Sequence, residues 1–180
     1  MEFSAIIKVE NLVKKFGDIV GVNDLSFEVL QGEIFGFLGP NGAGKTTTIR
    51  MILDLLRPDS GTIQLFGKDL GPNSLDIRKR CGYLPGNFLA YGNLTGKEYL
   101  RLNSSLRGLP FAIDERLVSR FGLDPKSLLR KIKTLSHGTM QKLGIIQAFM
   151  HRPDLLILDE PTIGLDPLMQ EEFYLLLKEY

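Results

Sequence analysis

Eight residues, Gly39-Pro40-Asn41-Gly42-Ala43-Gly44-Lys45-Thr46, have the spacing G-x-x-x-x-G-K-[ST] of a loop that grips the phosphates of a nucleoside triphosphate. Its glycines let successive backbone N–H groups turn inward, making a concave anion site backed by the positive end of the helix that follows. Lys45 would meet the β and γ phosphates as a point charge and the Thr46 hydroxyl would ligate Mg²⁺, while Thr47, at the same helix start, is placed for the α phosphate. Far downstream, the apolar run Leu155-Leu156-Ile157-Leu158 ends in Asp159-Glu160-Pro161. An Asp at the tip of such a strand holds Mg²⁺ through water, and Glu160 is placed to orient an attacking water or accept its proton. Without the phosphate loop, the same pair would read as plain polar residues closing a strand beside a proline.

These residues need elements to position them. Residues 33–38 are mostly apolar strand formers, and residues 46–56 carry helix-compatible apolar positions before Pro58, so the loop is expected between a strand and a helix. Upstream, residues 5–9 and 25–29 read as strands, with turns at Phe16-Gly17-Asp18 and at residues 30–33. Beyond the helix, Pro58-Asp59-Ser60-Gly61 is a turn leading to a strand over 62–66, and Gly82-Tyr83-Leu84 is a further short strand. Thr95-Gly96-Lys97-Glu98 is a capping box opening a helix through Leu106, closed by Gly108 and Pro110. Helices are also expected over 113–121, 139–150 and 168–180. The run at 154–159 has the texture of a strand buried on both faces of a parallel sheet, at whose tip ligands bind. The helical block is therefore an insertion between two core strands.

The 180 residues suffice for one domain with an inserted subdomain, and an apolar share of 43% marks a globular chain. With 22 basic and 21 acidic residues the net charge of +1 gives no reason to expect a nucleic-acid partner. Lys8, Glu10, Lys14 and Lys15 interrupt any leader-like apolar run, and no stretch is long enough to insert directly in a membrane. A single cysteine, Cys81, excludes an internal disulfide and is expected as a small buried hydrophobe. No His or Cys cluster accompanies the carboxylates, so zinc is not expected.

Four segments in order, residues 39–47, Leu135-Ser136-His137-Gly138-Thr139-Met140-Gln141-Lys142, residues 155–161 and Gly164-Leu165-Asp166-Pro167, together resemble the nucleotide-binding domain of ATP-binding cassette (ABC) transporters. The likeness runs from Val9 to the end of the chain. It implies an α/β fold: a P-loop NTPase core with an N-terminal antiparallel β layer and an inserted helical subdomain, the C-terminal part of the core lying beyond Tyr180. On this pattern residues 1–180 are part of one ATP-binding domain, with 1–90 and 151–180 as β layer and ATPase core and 91–150 as the helical subdomain. The resemblance implies ATP and Mg²⁺ as ligands, Lys45 and Glu160 in catalysis, and Thr46 and Asp159 at the metal. It places Gly39, Pro40, Asn41, Gly42, Ala43, Gly44, Lys45, Thr46 and Thr47 on the phosphates and Phe16 on the adenine. Ser136 and Gly138 match a signature motif that faces the γ phosphate held by the opposite subunit of a head-to-tail dimer, homomeric or heteromeric, and Asp166 resembles the residue that couples the two sites. A separate membrane permease would convert closing and opening of the dimer into export, leaving this chain cytoplasmic and peripheral on the inner face of the membrane.

The chain departs from that pattern in three places. The signature has His137-Gly138 for the usual pair of glycines and Thr139 for the usual Gln. At Tyr83-Leu84-Pro85-Gly86-Asn87 the family's Gln or Glu, which touches Mg²⁺ and signals to the permease, is replaced by Gly86, a variation similar to drug-exporter-like subunits. A histidine that the family carries on a later strand is matched by neither His137 nor His151, so the chain is read as the N-terminal portion of a longer protein. An ATPase driving export is the leading expectation. A non-hydrolysing nucleotide-binding module is the alternative, and a small-molecule kinase would need an acceptor pocket in place of residues 135–142.

Overall fold

The computed structural model describes residues 4–71 and 74–180. Their contacts divide the chain into two compact units, Met1–Arg80 and Cys81–Tyr180.

The first unit is built on two long strands, β1 (Ala5–Phe16) and β2 (Ile19–Leu30), joined through Gly17 and Asp18, with Gly17 at φ 59° as a two-residue hairpin requires. β3 (Ser60–Leu65) pairs antiparallel with the other edge of β1, and β4 (Lys68–Asp69) adds to β3, giving the order β2-β1-β3-β4. Alternation buries Ile7 and Val9 on β1 and Ile63 and Leu65 on β3, and a register shift between Val9 and Leu12 brings Leu12 in as well. Against β2 and β3 lies α1 (Lys45–Ile52), which buries Ile49, Met51 and Ile52. The expected helix through residue 56 stops early because Asp54 takes a left-handed φ of 57° and Leu55 N–H turns back to Arg50 O at 2.8 Å. Asp54 then binds Arg57 at 2.8 Å and Arg78 at 2.7 Å, fixing the short α2 (Leu75–Lys79), which local pattern did not announce.

Residues 34–38 were expected as the strand feeding the phosphate loop, and they are not a strand. They pair with neither sheet, Leu38 is 91% exposed, and Phe35 and Phe37 instead stack on Phe27 of β2 with ring centroids 5.4 and 5.5 Å away. Apolar, aromatic composition gives strand propensity, but a strand forms only where a neighbour accepts its backbone bonds, and no strand lies alongside it among the described residues.

In the second unit, β5 (Cys81–Leu84) and β6 (Leu155–Leu158) run parallel, Cys81 opposite Leu155 and Leu84 opposite Leu158, with the helices between them in sequence. That is the inserted arrangement the sequence suggests. Only Ile157 of β6 is buried, its neighbours being half-covered, because β5 is its one pairing strand among the described residues. α3 (Gly96–Leu106) starts at the expected capping box: the Thr95 hydroxyl accepts from Glu98 N–H at 3.2 Å and Glu98 accepts from Thr95 N–H at 2.8 Å. The short α4 (Glu115–Arg120) is capped by Asp114, and α5 (His137–Phe149) begins two residues before its expected start because Ser136 caps it. α5 is the core helix, burying Leu143, Ile145, Ile146, Ala148 and Phe149. A β-carbon on Gly144 would lie 2.7 Å from Leu84 Cδ1, so glycine lets α5 approach β5 closely. α6 (Pro167–Glu179) closes the unit by burying Phe173 and Leu176 in the same core.

Candidate functional site

The phosphate loop belongs to the first unit. Gly42 and Gly44 stand at φ 84° and 85°, conformations that side chains disfavour. At Gly44 space forbids them as well, since a β-carbon there would lie 2.2 Å from Gly21 O. Gly21 is itself irregular: Lys14 pairs with Val22 and Lys15 with Val20, so one step on β1 faces two on β2 and Gly21 is the bulged residue. The bulge turns a carbonyl against the loop and brings Phe16 close, its Cε2 being 2.9 Å from where a Gly21 β-carbon would stand. Phe16 is half exposed, and a depression of about 390 Å³ beside it is lined by Val20, Gly21, Val22, Asn23, Ala43 and Lys45.

Lys45 Nζ donates to Gly39 O at 2.7 Å and Pro40 O at 2.9 Å, which holds the ammonium across the loop. The α1 N-terminus behind it has glycine as its cap, makes no side-chain capping bond and carries no acidic residue in its first turn. Its first N–H groups and the helix dipole therefore favour an anion. Two glycines in left-handed conformations, a lysine ammonium and an uncapped helix start fit a polyphosphate. Thr46 and Thr47 lie in that first turn, and Thr48 is buried with no hydrogen-bond partner for its Oγ1.

The carboxylates belong to the second unit. Asp159 N–H donates to Leu84 O at 2.9 Å, continuing the β5–β6 ladder by one bond and leaving Asp159 buried at the strand tip. Glu160 is exposed, with φ 49°, and its carbonyl accepts from Ile163 N–H at 3.2 Å, so the chain turns sharply at this residue. Gly86 lies beside them: a β-carbon there would be 3.5 Å from Asp159 Oδ2. Position 86 is thus adjacent to the carboxylate, and glycine brings no side chain to it.

Ser136 caps α5, its Oγ accepting from Thr139 N–H at 3.2 Å and lying 2.8 Å from Thr139 Oγ1. Thr139, an irregularity in the sequence pattern, therefore supports the serine. Gly138 abuts Gly164 O, and the buried Gln141 donates Nε2–H to Pro161 O at 3.0 Å. These links between α5 and the loop after Glu160 escaped sequence reasoning, and the one signal was a polar Gln141 among apolar helix positions. Asp166 caps α6, accepting from Met169 N–H at 3.0 Å.

The two histidines differ. His137 is exposed beside Gly164. His151 is half-buried, its Nε2 meets Cys81 O at 3.2 Å and its buried Nδ1 has no partner, and burial, with Arg107 nearby, pushes its pKa down to about 4. Cys81 is buried, as its reading as a small hydrophobe expects.

Together these features define a phosphate-loop nucleotide-binding fold of the α/β class. The family model described as ABC transporter matches residues 22–163. Among curated relatives, the bacitracin transport ATP-binding protein BcrA of Bacillus licheniformis is 46% identical over 172 residues, 92% of this chain and 54% of that protein. The probable multidrug ABC transporter ATP-binding protein YbhF of Escherichia coli (strain K12) is 43% identical over 175 residues, 94% of this chain and 30% of that protein. The dimeric structure of a bacterial ABC transporter cassette superposes with a TM-score of 0.86 at 25% identity, covering 96% of this chain and 82% of that one. The chain belongs to the ABC transporter family. It spans about half the length of BcrA and less than a third of YbhF.

Proposed function

We propose that this chain is the nucleotide-binding part of an ATPase that drives export through a separate membrane permease. The observation that carries the reading is the cradle at Gly42, Gly44 and Lys45, shaped for a polyphosphate by the Gly21 carbonyl and the uncapped α1. Lys45 leaves its two carbonyl partners to neutralise the β and γ phosphates, residues 39–44 supply backbone N–H groups, and Thr47 takes the α phosphate. Phe16 stacks on the adenine. Thr46 and Asp159 are the oxygen donors assigned to Mg²⁺, a hard cation that neutralises phosphate charge when bound. Glu160 orients the attacking water and accepts its proton.

Ser136 and Gly138 are assigned to the γ phosphate held by the opposite subunit of a head-to-tail dimer, homomeric or heteromeric. The dimeric cassette to which the chain is similar supports that assembly. Residues 91–150 act as a helical subdomain, with 1–90 and 151–180 as β layer and ATPase core. Leu89 and Tyr91, 73% and 69% exposed, are the surface offered to the permease. Among the described residues no helix is long and apolar enough to cross a membrane, which suits a cytoplasmic chain peripheral to the inner face. The relatives' named roles in bacitracin and multidrug transport favour an exported small molecule as cargo.

A second reading, a nucleotide-binding module that does not hydrolyse, draws on Gly86, which brings no side chain beside Asp159. Calorimetry of MgATP binding with turnover assayed in the same sample separates the two, with Lys45→Ala as control. Binding with turnover, both lost in the variant, supports the ATPase. Binding alone supports the module, and binding that survives Lys45→Ala overturns both.

A further inference from the structure

The first two turns of α5 hold the loop after Glu160 at three points. A β-carbon on Gly164 would lie 2.3 Å from His137 Nδ1 and 2.7 Å from its Cε1, so the imidazole fills the place where any other residue's side chain would begin. A β-carbon on Gly138 would lie 2.9 Å from Gly164 O, so the helix meets the loop backbone there directly. One turn on, Gln141 donates to Pro161 O at 3.0 Å, and residues 137 and 141 share a helix face. Two internal bonds, Ile163 N–H to Glu160 O at 3.2 Å and Leu165 N–H to Thr162 O at 3.1 Å, keep the loop tight between these points.

We infer that His137 is a positioning residue that locks the loop of residues 161–165 to the first turn of α5 by seating its ring on Gly164, so that Ser136 and Glu160 move as one piece. The lock is reciprocal, needing a side chain at 137 and none at 164, where φ is 77°. It rests on the roles proposed above for Ser136 and Glu160, and it gives His137 a task that requires no proton transfer. A serine drawn toward a triphosphate would thereby carry the carboxylate with it. Reorienting such a group by about an ångström costs on the order of a hundredfold in rate, so loosening the lock shows in kcat.

The test uses the full-length protein with hydrogen exchange and steady-state ATP turnover. His137→Ala is expected to speed exchange at the Ile163 and Leu165 amides by roughly tenfold and to lower kcat by a similar factor, with KM for MgATP changed less than about twofold. His137→Phe, which keeps a planar ring and removes the nitrogens, is expected to restore both. A role in proton transfer would leave Phe as poor as Ala. Gly164→Ala should impair turnover more in the wild-type background than beside His137→Ala, since the methyl group meets a ring only in the former. Unchanged exchange in His137→Ala, or strictly additive effects in the pair, overturns the inference. If the wild-type protein fails to hydrolyse ATP, the proposed function fails while the exchange rates still decide the lock.

Discussion

Arg120, the last residue of α4, holds Glu179, the last residue of α6, through two hydrogen bonds of 2.6 and 2.9 Å, while its Nε donates to Glu172 at 3.1 Å. The fork geometry of guanidinium on carboxylate makes this a well-aligned ion pair. The guanidinium holds the Glu179 carboxyl below its ordinary pKa. The carboxylate's contribution is therefore present above about pH 4.5 and fades as pH falls through the depressed value. Arg120→Ala is expected to lower the melting temperature by a few degrees at neutral pH and low salt, and by less at 1 M salt because exposed charges are screened. Thermal melts at the two ionic strengths check this.

His151 behaves oppositely to an ion-paired group. Its pKa falls from 6.5 to about 4 on folding because burial penalises the imidazolium and Arg107 repels it. The folded state thus binds a proton less readily than the unfolded one, so stability is full above pH 6.5 and declines as pH drops toward 4. Urea midpoints at pH 7.5 and 5 should differ more for the natural protein than for His151→Phe, which cannot titrate. Equal differences would show that other groups carry the acid sensitivity.

Gly44→Ala combines a left-handed backbone with a collision against Gly21 O. The loop must shift, and β1, β3 and the rest of the sheet need not. Calorimetry is expected to show MgATP affinity reduced more than about tenfold, with the strand signal in circular dichroism unchanged.

Glu160→Gln keeps the side chain's size and its hydrogen-bonding reach and removes its basicity. Under the proposed mechanism the full-length variant binds MgATP as tightly as the natural protein and turns over at least about a hundredfold more slowly. Intact turnover would remove Glu160 from the mechanism.

What the sequence made legible was local. Thr95 and Glu98 announce α3 because a capping box involves four consecutive residues, and the glycine spacing at residues 39–46 announces the cradle for the same reason. Asp166-Pro167 likewise marks the start of α6. Elements fixed by distant partners were hidden. Residues 34–38 have strand composition and no strand beside them, and α2 depends on Arg78 reaching Asp54. In the site, Gln141 looked like an ordinary polar helix residue until Pro161 O appeared next to it, and His137 looked like a lapse in a pattern until its ring was seen on Gly164. The contacts of Arg78, Gln141 and His137 each join residues twenty or more positions apart, and a linear reading has no access to them.

The bulge at Gly21 sets two virtues of the hairpin against each other. A β1–β2 ladder without the extra residue would be the stiffer sheet, yet it would lose both the carbonyl that shapes Gly44 and the local bend that carries Phe16. Removing Gly21 should therefore make the protein melt later and hold nucleotide worse. The strand is kept out of step, and the misfit is what sets the Gly21 carbonyl against the phosphate loop.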